Sequence, residues 1–248
     1  MASAINTYEA TVLEVWSPTS STRAVRLTKP QNFSFETSQA VRLYLHGPTG
    51  DVFRPMSIAS SPDREYLEFA VRRSNSDFKR AFFSLETGDS VRLFGPRGTF
   101  LLEWNIPVVM LAGGIGITPF RSMIQTMADR SSGPPTLLVY ANHSPEDVAF
   151  KEELDDLAAG REWIEILYTV SAASRDVAWP HRIGRIDLAL LKDIEARQPG
   201  AIHYLAGPAP FVDALSGALL VELGVDRGKV LAEVFRGYDT EPIVADVT

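Results

Sequence analysis

Leu111-Ala112-Gly113-Gly114-Ile115-Gly116-Ile117-Thr118-Pro119 stands between a continuous apolar run at 107–112 and an apolar-periodic stretch at 119–130. That order reads as buried strand, glycine turn and helix. Glycine has no Cβ, so the turn lets backbone come close to a ligand. The helix start adds unpaired N–H groups and the positive end of a dipole. Thr118 is the expected helix cap, and Pro119 suits the first turn. A tight turn with no ligand has the same local sequence. A turn at the carboxyl end of the first strand of a parallel sheet, where such folds bind ligands, points to a dinucleotide pyrophosphate.

Downstream, the runs 136–140, 163–170, 202–206 and 230–235 read as further strands, and 146–159, 187–197 and 210–223 as helices. Strands alternating with helices predict a parallel five-stranded sheet covered on both faces. Upstream the pattern differs. Short strands at 8–16, 24–27, 40–45, 66–72 and 90–94 are punctuated by Gly47-Pro48, Ser61-Pro62, Gly88-Asp89 and Gly95-Pro96. Val41-Arg42-Leu43-Tyr44-Leu45 and Val91-Arg92-Leu93-Phe94 alternate apolar with polar, the period of half-buried strands. The expectation is a small antiparallel barrel or sandwich over 1–103 followed by an α/β domain over 104–248.

Composition narrows the chemistry. With 248 residues, 45% hydrophobic and 22% charged, the chain can bury two cores. Its net charge of −7 argues against nucleic acid as a partner, since phosphate backbones need a basic footprint. It has no cysteine, which excludes disulfides and Cys-ligated iron–sulfur clusters within this chain. The four histidines, His46, His143, His181 and His203, show no metal-ligand spacing. No run approaches the roughly 18 apolar residues of a membrane span. The start, MASAINTYEA, has no basic leader before an apolar stretch, so a cytoplasmic protein is the expectation.

A second motif lies in the barrel half: Arg54-Pro55-Met56-Ser57. Arginine can grip a phosphate bidentately, and a serine hydroxyl can bond a ring nitrogen. Alone, it reads equally as a strand with a surface arginine. With the glycine turn downstream, the whole chain resembles the ferredoxin–NADP reductase family, flavoenzymes with an NAD(P)H-binding α/β domain, and the resemblance implies that the first unit is an antiparallel Greek-key β-barrel that binds flavin. Arg54-Pro55-Met56-Ser57 matches the family's Arg-x-Tyr-Ser flavin strand, and Ala70-Val71-Arg72 its next flavin-contacting strand. Ser76-Asp77-Phe78-Lys79-Arg80 lies where the family holds the flavin diphosphate. The residues Gly113 to Pro119 match the nicotinamide-cofactor loop. Leu205-Ala206-Gly207-Pro208 stands at a Cys-Gly-Pro segment, and Glu233-Val234-Phe235 at an acidic–x–aromatic strand near the flavin ring.

The resemblance implies FAD, with FMN as the alternative, and NADPH or NADH as hydride donor. Ser57, Glu233 and Phe235 take the catalytic positions: Ser57 near flavin N5, Glu233 orienting or balancing protons, Phe235 as the aromatic that the nicotinamide displaces. Met56 replaces the family's tyrosine, Lys79 and Arg80 replace small residues, and Ala206 replaces cysteine. The chain continues beyond Phe235, which makes Tyr238 a second aromatic candidate. Ser171 and Arg175, beyond the third strand, are the candidates for a 2′-phosphate; a solvated loop accounts for them equally well. The acceptor is expected to be a separate protein such as a ferredoxin, flavodoxin or oxygenase component. Two other readings stand beside it: reduction of a diffusible flavin or quinone, and a non-catalytic dinucleotide-binding subunit.

Overall fold

Alternating side chains organise the amino-terminal half. A computed structural model of the chain describes residues 6–47, 50–172 and 179–235. It places six strands there: β1 (Thr7–Thr19), β2 (Thr22–Thr28), β3 (Ala40–Gly47), β4 (Gly50–Ser57), β5 (Tyr66–Arg72) and β6 (Ser90–Arg97). They pair antiparallel in the order β4-β3-β6-β1-β2-β5. Val41, Leu43 and Leu45 of β3, Val91 and Leu93 of β6, and Leu67, Phe69 and Val71 of β5 share one core. Arg42 and Tyr44, between the inward residues of β3, stay half-buried on the outer face. The outer strands meet where the Ala59 N–H, just past β4, donates to the Glu68 carbonyl at 2.8 Å. Helix α1 (Asp77–Phe83) links β5 to β6 and buries Phe78, Ala81 and Phe82 in this core.

The second half is a parallel sheet in the order β10-β9-β8-β7-β11-β12. Its members are β7 (Val108–Gly113), β8 (Thr136–Asn142), β9 (Ile164–Val170), β10 (Arg182–Ile183), β11 (Ile202–Pro208) and β12 (Val230–Phe235). The five expected strands are present, and the two-residue β10 extends one edge. That strand is too short to leave a period in the sequence. Helices α2 (Ile117–Asp129) and α3 (Lys151–Ala158) flank one face, α4 (Leu188–Arg197) and α5 (Ala209–Gly217) the other. Successive residues of β7 serve opposite sides: Val108, Met110 and Ala112 pack with α2, while Val109 and Leu111 pack with α4 and α5. A strand buried on both faces needs apolar residues at every position, which explains the unbroken run. Strand order reverses between β8 and β11, on either side of β7, and this switch point opens a crevice at the carboxyl ends.

The expected helix over 146–159 is two pieces. A single 3-10 turn, Pro145–Asp147, precedes α3, and Phe150 between them is left-handed with φ 61°. Val148, Ala149 and Phe150 are all buried. Three consecutive side chains cannot all face one core from a regular helix, so the helix breaks there.

The barrel and the α/β unit share an interior. Ala24, Ala70 and Leu102 belong to the same cluster as Met110, Phe120 and Tyr140. Beside this apolar seam α2 presents a polar stripe. The Ser122 hydroxyl donates to the Ser60 carbonyl at 2.7 Å and accepts from the Ser38 N–H at 3.1 Å. The Ser61 N–H donates to Gln125 Oε1 at 3.0 Å, and the Thr126 hydroxyl lies 3.0 Å from that of Thr37. Among the described residues no helix is long and apolar enough to cross a membrane, and no group of His, Asp and Glu is arranged to hold a metal ion.

Candidate active site

Gly113, at the end of β7, opens into the 3-10 turn Gly114–Gly116, and α2 follows at once. Gly114 is left-handed with φ 54°, a conformation that a side chain disfavours. At Gly116 a Cβ would lie 2.1 Å from the Ala206 carbonyl oxygen and 2.7 Å from the Gly207 nitrogen. Only hydrogen fits, so the turn rests directly on the carboxyl end of β11. The segments Gly113–Pro119 and Ala206-Gly207-Pro208, far apart in sequence, are therefore one site. No side chain caps the α2 amino terminus, and the Ile117 N–H turns back to the Gly114 carbonyl, so α2 continues directly from the glycine turn. Thr118 differs from expectation: it lies inside the first turn, and its hydroxyl donates to the Ile115 carbonyl at 3.2 Å. Gly116 occupies the cap position instead, because the close approach to Ala206 requires it there.

Opposite this loop, β4 delivers Arg54, Pro55, Met56 and Ser57. Ser57 is 6% exposed, and its hydroxyl donates to Oε1 of Glu233. Glu233 pairs with Ala206 in the β11–β12 register, and Phe235 pairs with Pro208. The order Ser57, Glu233, Ala206, Gly116 thus runs without a gap from the barrel strand to the glycine turn. Burial raises the Glu233 carboxyl above the usual carboxylate value, and the Ser57 bond opposes that rise only in part.

Other expected residues fall at different depths. Ala70 lies in the seam and Val71 in the barrel core. Arg72 reaches across the seam to Asp147 Oδ1 at 2.8 Å, and a Cβ on Gly114 would stand 3.9 Å from its Nη1. Phe78 is a barrel-core residue rather than a surface on which a cofactor can lie; it is 2% exposed and packs on Phe82. Met56 likewise packs against the barrel core, beside Val41. Lys79 is in the first turn of α1, and its N–H is taken by the Ser76 cap at 3.4 Å. Ser171 is exposed, with its hydroxyl 3.2 Å from His143 Nδ1. Arg175 and Tyr238 lie outside the described residues.

The site has a supporting layer that motif reading missed. Arg121, one turn into α2, is 3% exposed and bonds Glu68 of β5 and Glu153 of α3. Its signal was the recurrence of Arg121, Ser122, Gln125, Thr126 and Asp129 at helical spacing, a polar stripe on an otherwise apolar helix. A cleft of about 490 Å³ opens over this layer between Trp16, Tyr66 and Leu157. None of the residues expected from motifs lines it.

The donor set fits a flavin and a nicotinamide dinucleotide. The crevice offers a Cβ-free cradle with helix-start amides for a pyrophosphate, and a hydroxyl–carboxyl pair at the opposite wall for a ring with polar edges.

Comparison with known proteins agrees. Residues 110–216 match the family profile described as the oxidoreductase NAD-binding domain. Ferredoxin–NADP reductase B of Sorangium cellulosum is 31% identical over 188 residues, 73% of each chain. The reductase component of propane 2-monooxygenase from Mycolicibacterium smegmatis is 29% identical over 195 residues, 75% of this chain and 55% of that one. The chain thus spans about half the length of that relative. Among solved structures, a ferredoxin–NADP reductase from Neisseria gonorrhoeae with bound FAD and NADP superposes with a TM-score of 0.77 at 21% identity, covering 92% of this chain and 98% of that one. Fold, site and sequence converge: the chain belongs to the ferredoxin–NADP reductase family.

Proposed function

We propose that this chain is an NAD(P)H-dependent flavin oxidoreductase that takes hydride from a nicotinamide and hands electrons to a separate acceptor protein. The observation that carries this is the continuous order Ser57, Glu233, Ala206 and Gly116, which brings a flavin-type strand and a dinucleotide loop to one point. The division of labour follows: 1–103 for the flavin, 104–248 for NAD(P)H. A bound flavin supplies a ring that accepts hydride and gives up electrons singly or in pairs.

The chain's own residues bind, orient and exclude water. Arg54 and Lys79 are the candidates for the flavin phosphates, with Pro55, Met56, Arg72 and the backbone of Ala70 and Val71 around the cofactor. Gly113, Gly114, Gly116, Ile117, Thr118 and Pro119 cradle the nicotinamide dinucleotide, backed by Ala206, Gly207 and Pro208. Ser57 holds a hydrogen bond at the reacting edge of the ring. Glu233, whose proton affinity burial raises, accepts from the Ser57 hydroxyl and orients it toward the ring. Phe235, with Tyr238 as the second candidate, would cover the flavin ring until the nicotinamide enters. Positioning of the two rings supplies most of the rate.

These 248 residues hold no cysteine to ligate an iron–sulfur cluster, so the electrons leave the flavin for a carrier outside them. The names of its relatives, reductase components and ferredoxin reductases, support a protein acceptor over a diffusible one.

Purified protein is expected to be yellow and to bleach anaerobically with NADPH or NADH, and mass analysis of the released cofactor distinguishes FAD from FMN. Ser57→Ala should slow that bleaching by about ten- to a hundredfold, the cost of a charge-assisted hydrogen bond in the reacting state. Protein that takes up neither flavin excludes the proposal. Turnover with free flavin or quinone equal to that with ferredoxin or flavodoxin favours the diffusible acceptor.

A further inference from the structure

We infer that Arg121 is a positioning residue for hydride transfer: its single guanidinium sets the nicotinamide loop against the flavin strands. The inference rests on the reading of the crevice as a hydride-transfer site.

Three carriers of that site converge on this side chain. Arg121 lies three positions after Thr118 on the helix that the glycine turn opens. Its Nη1 donates to the Ala59 carbonyl at 3.0 Å, two positions after Ser57. The same nitrogen donates to Glu68 Oε2 at 2.6 Å, two positions before Ala70. The other edge of the fork is bidentate to α3, with Nε to Glu153 Oε2 at 2.9 Å and Nη2 to Glu153 Oε1 at 2.8 Å. The ring of Phe150 lies 4.6 Å beneath the guanidinium.

The partners are themselves held. Arg26 takes the other oxygen of Glu68 through Nε at 2.9 Å, and Gln125 donates to Glu153 at 2.6 Å. Burial by itself would lower the affinity of Arg121 for its proton, yet Glu68 and Glu153 hold it above the ordinary value. Such a buried network contributes less stability than an apolar contact of equal volume. What it adds is a single allowed arrangement, since any shift between the elements leaves charged hydrogen bonds unmade. The planar fork with donors on two edges is essential, because a lysine ammonium keeps the charge but cannot face β4, β5 and α3 together.

The test uses flavin-loaded protein, comparing Arg121→Lys and Glu153→Gln with wild type. Stopped-flow reduction by unlabelled nicotinamide, and by nicotinamide deuterated at the transferred position, separates nucleotide affinity from the limiting reduction rate. Arg121→Lys is expected to hold flavin and nucleotide within about threefold of wild type, while the limiting rate falls about tenfold or more and the isotope effect rises. Glu153→Gln, at a partly exposed partner, keeps the fold if Arg121→Lys does not; its limiting rate should fall about threefold, with the same rise in isotope effect. Unchanged limiting rates in the variants that fold overturn the positioning role, whatever happens to melting temperature. Wild-type flavin that neither nicotinamide reduces overturns the underlying reading, and the positioning role with it.

Discussion

The Ser57 hydroxyl donates to the Glu233 carboxylate across 176 positions of sequence, and the bond joins the barrel to the last described strand of the α/β unit. The motifs set both residues near the flavin ring but did not join them by a hydrogen bond. Glu233 stands in register with Ala206, and Gly116 packs on that residue's carbonyl. One hydrogen bond therefore closes the path from flavin strand to nucleotide loop.

This setting makes stability depend on pH. Burial raises the folded-state affinity of Glu233 for its proton above that of the ordinary carboxyl near 4.5. The stability it contributes is fully present below that value and is lost as pH rises through the higher folded-state value. Glu233→Gln, which does not ionise, should melt progressively higher relative to wild type as pH climbs from about 4.5. Thermal melts of flavin-free protein across that range check this; a constant difference refutes it.

Gly116→Ala should be severe. The added methyl meets backbone atoms of Ala206 and Gly207, which cannot rotate away. Overpacking of this kind costs about 3 kcal/mol, and nucleotide binding should weaken in parallel as the loop lifts from β11. Denaturant unfolding and nucleotide titration measure both.

Ser122→Ala probes the seam between the two units. The change leaves the Ser38 N–H without its acceptor and the Ser60 carbonyl without its donor, both in buried surroundings. A loss of about 1–3 kcal/mol is expected. Alanine fills nearly the same volume, so a smaller loss in chemical denaturation would mean that water enters the seam.

Arg175 and Ser171 are proposed as the partners of a 2′-phosphate. Arg175→Ala should weaken NADPH by about tenfold or more and leave NADH unchanged, since only NADPH carries the extra charge. Kinetics with both nucleotides decide it, and equal losses with the two end the proposal.

Much of the architecture was legible before any coordinate. The run 107–112, the glycines after it and the alternation in β3 and β6 each record a local demand. Both-face burial, close backbone approach and one-face burial write themselves into consecutive residues. Thr118 and Phe78 show where local reading stops. Thr118 has the chemistry of a cap, but the contact of Gly116 with β11 moves the helix start ahead of it. Phe78 sits in a motif-like segment, yet α1 turns it into the barrel core. The helix over 146–159 broke for a similar reason, as Val148, Ala149 and Phe150 were all drawn inward.

By itself, then, the sequence determined two units, their order and the glycine cradle, because periodicity and the absence of a Cβ act over a few neighbouring residues. Only the tertiary structure decided that Glu233 meets Ser57 and that Arg121 meets Glu68 and Glu153. A charged residue in a helix or strand has the same local sequence whether it is solvated or buried. Its partner is chosen when the two units close on each other, and that closure turned Arg121 from a helix-face charge into the point where β4, β5, α2 and α3 are held together.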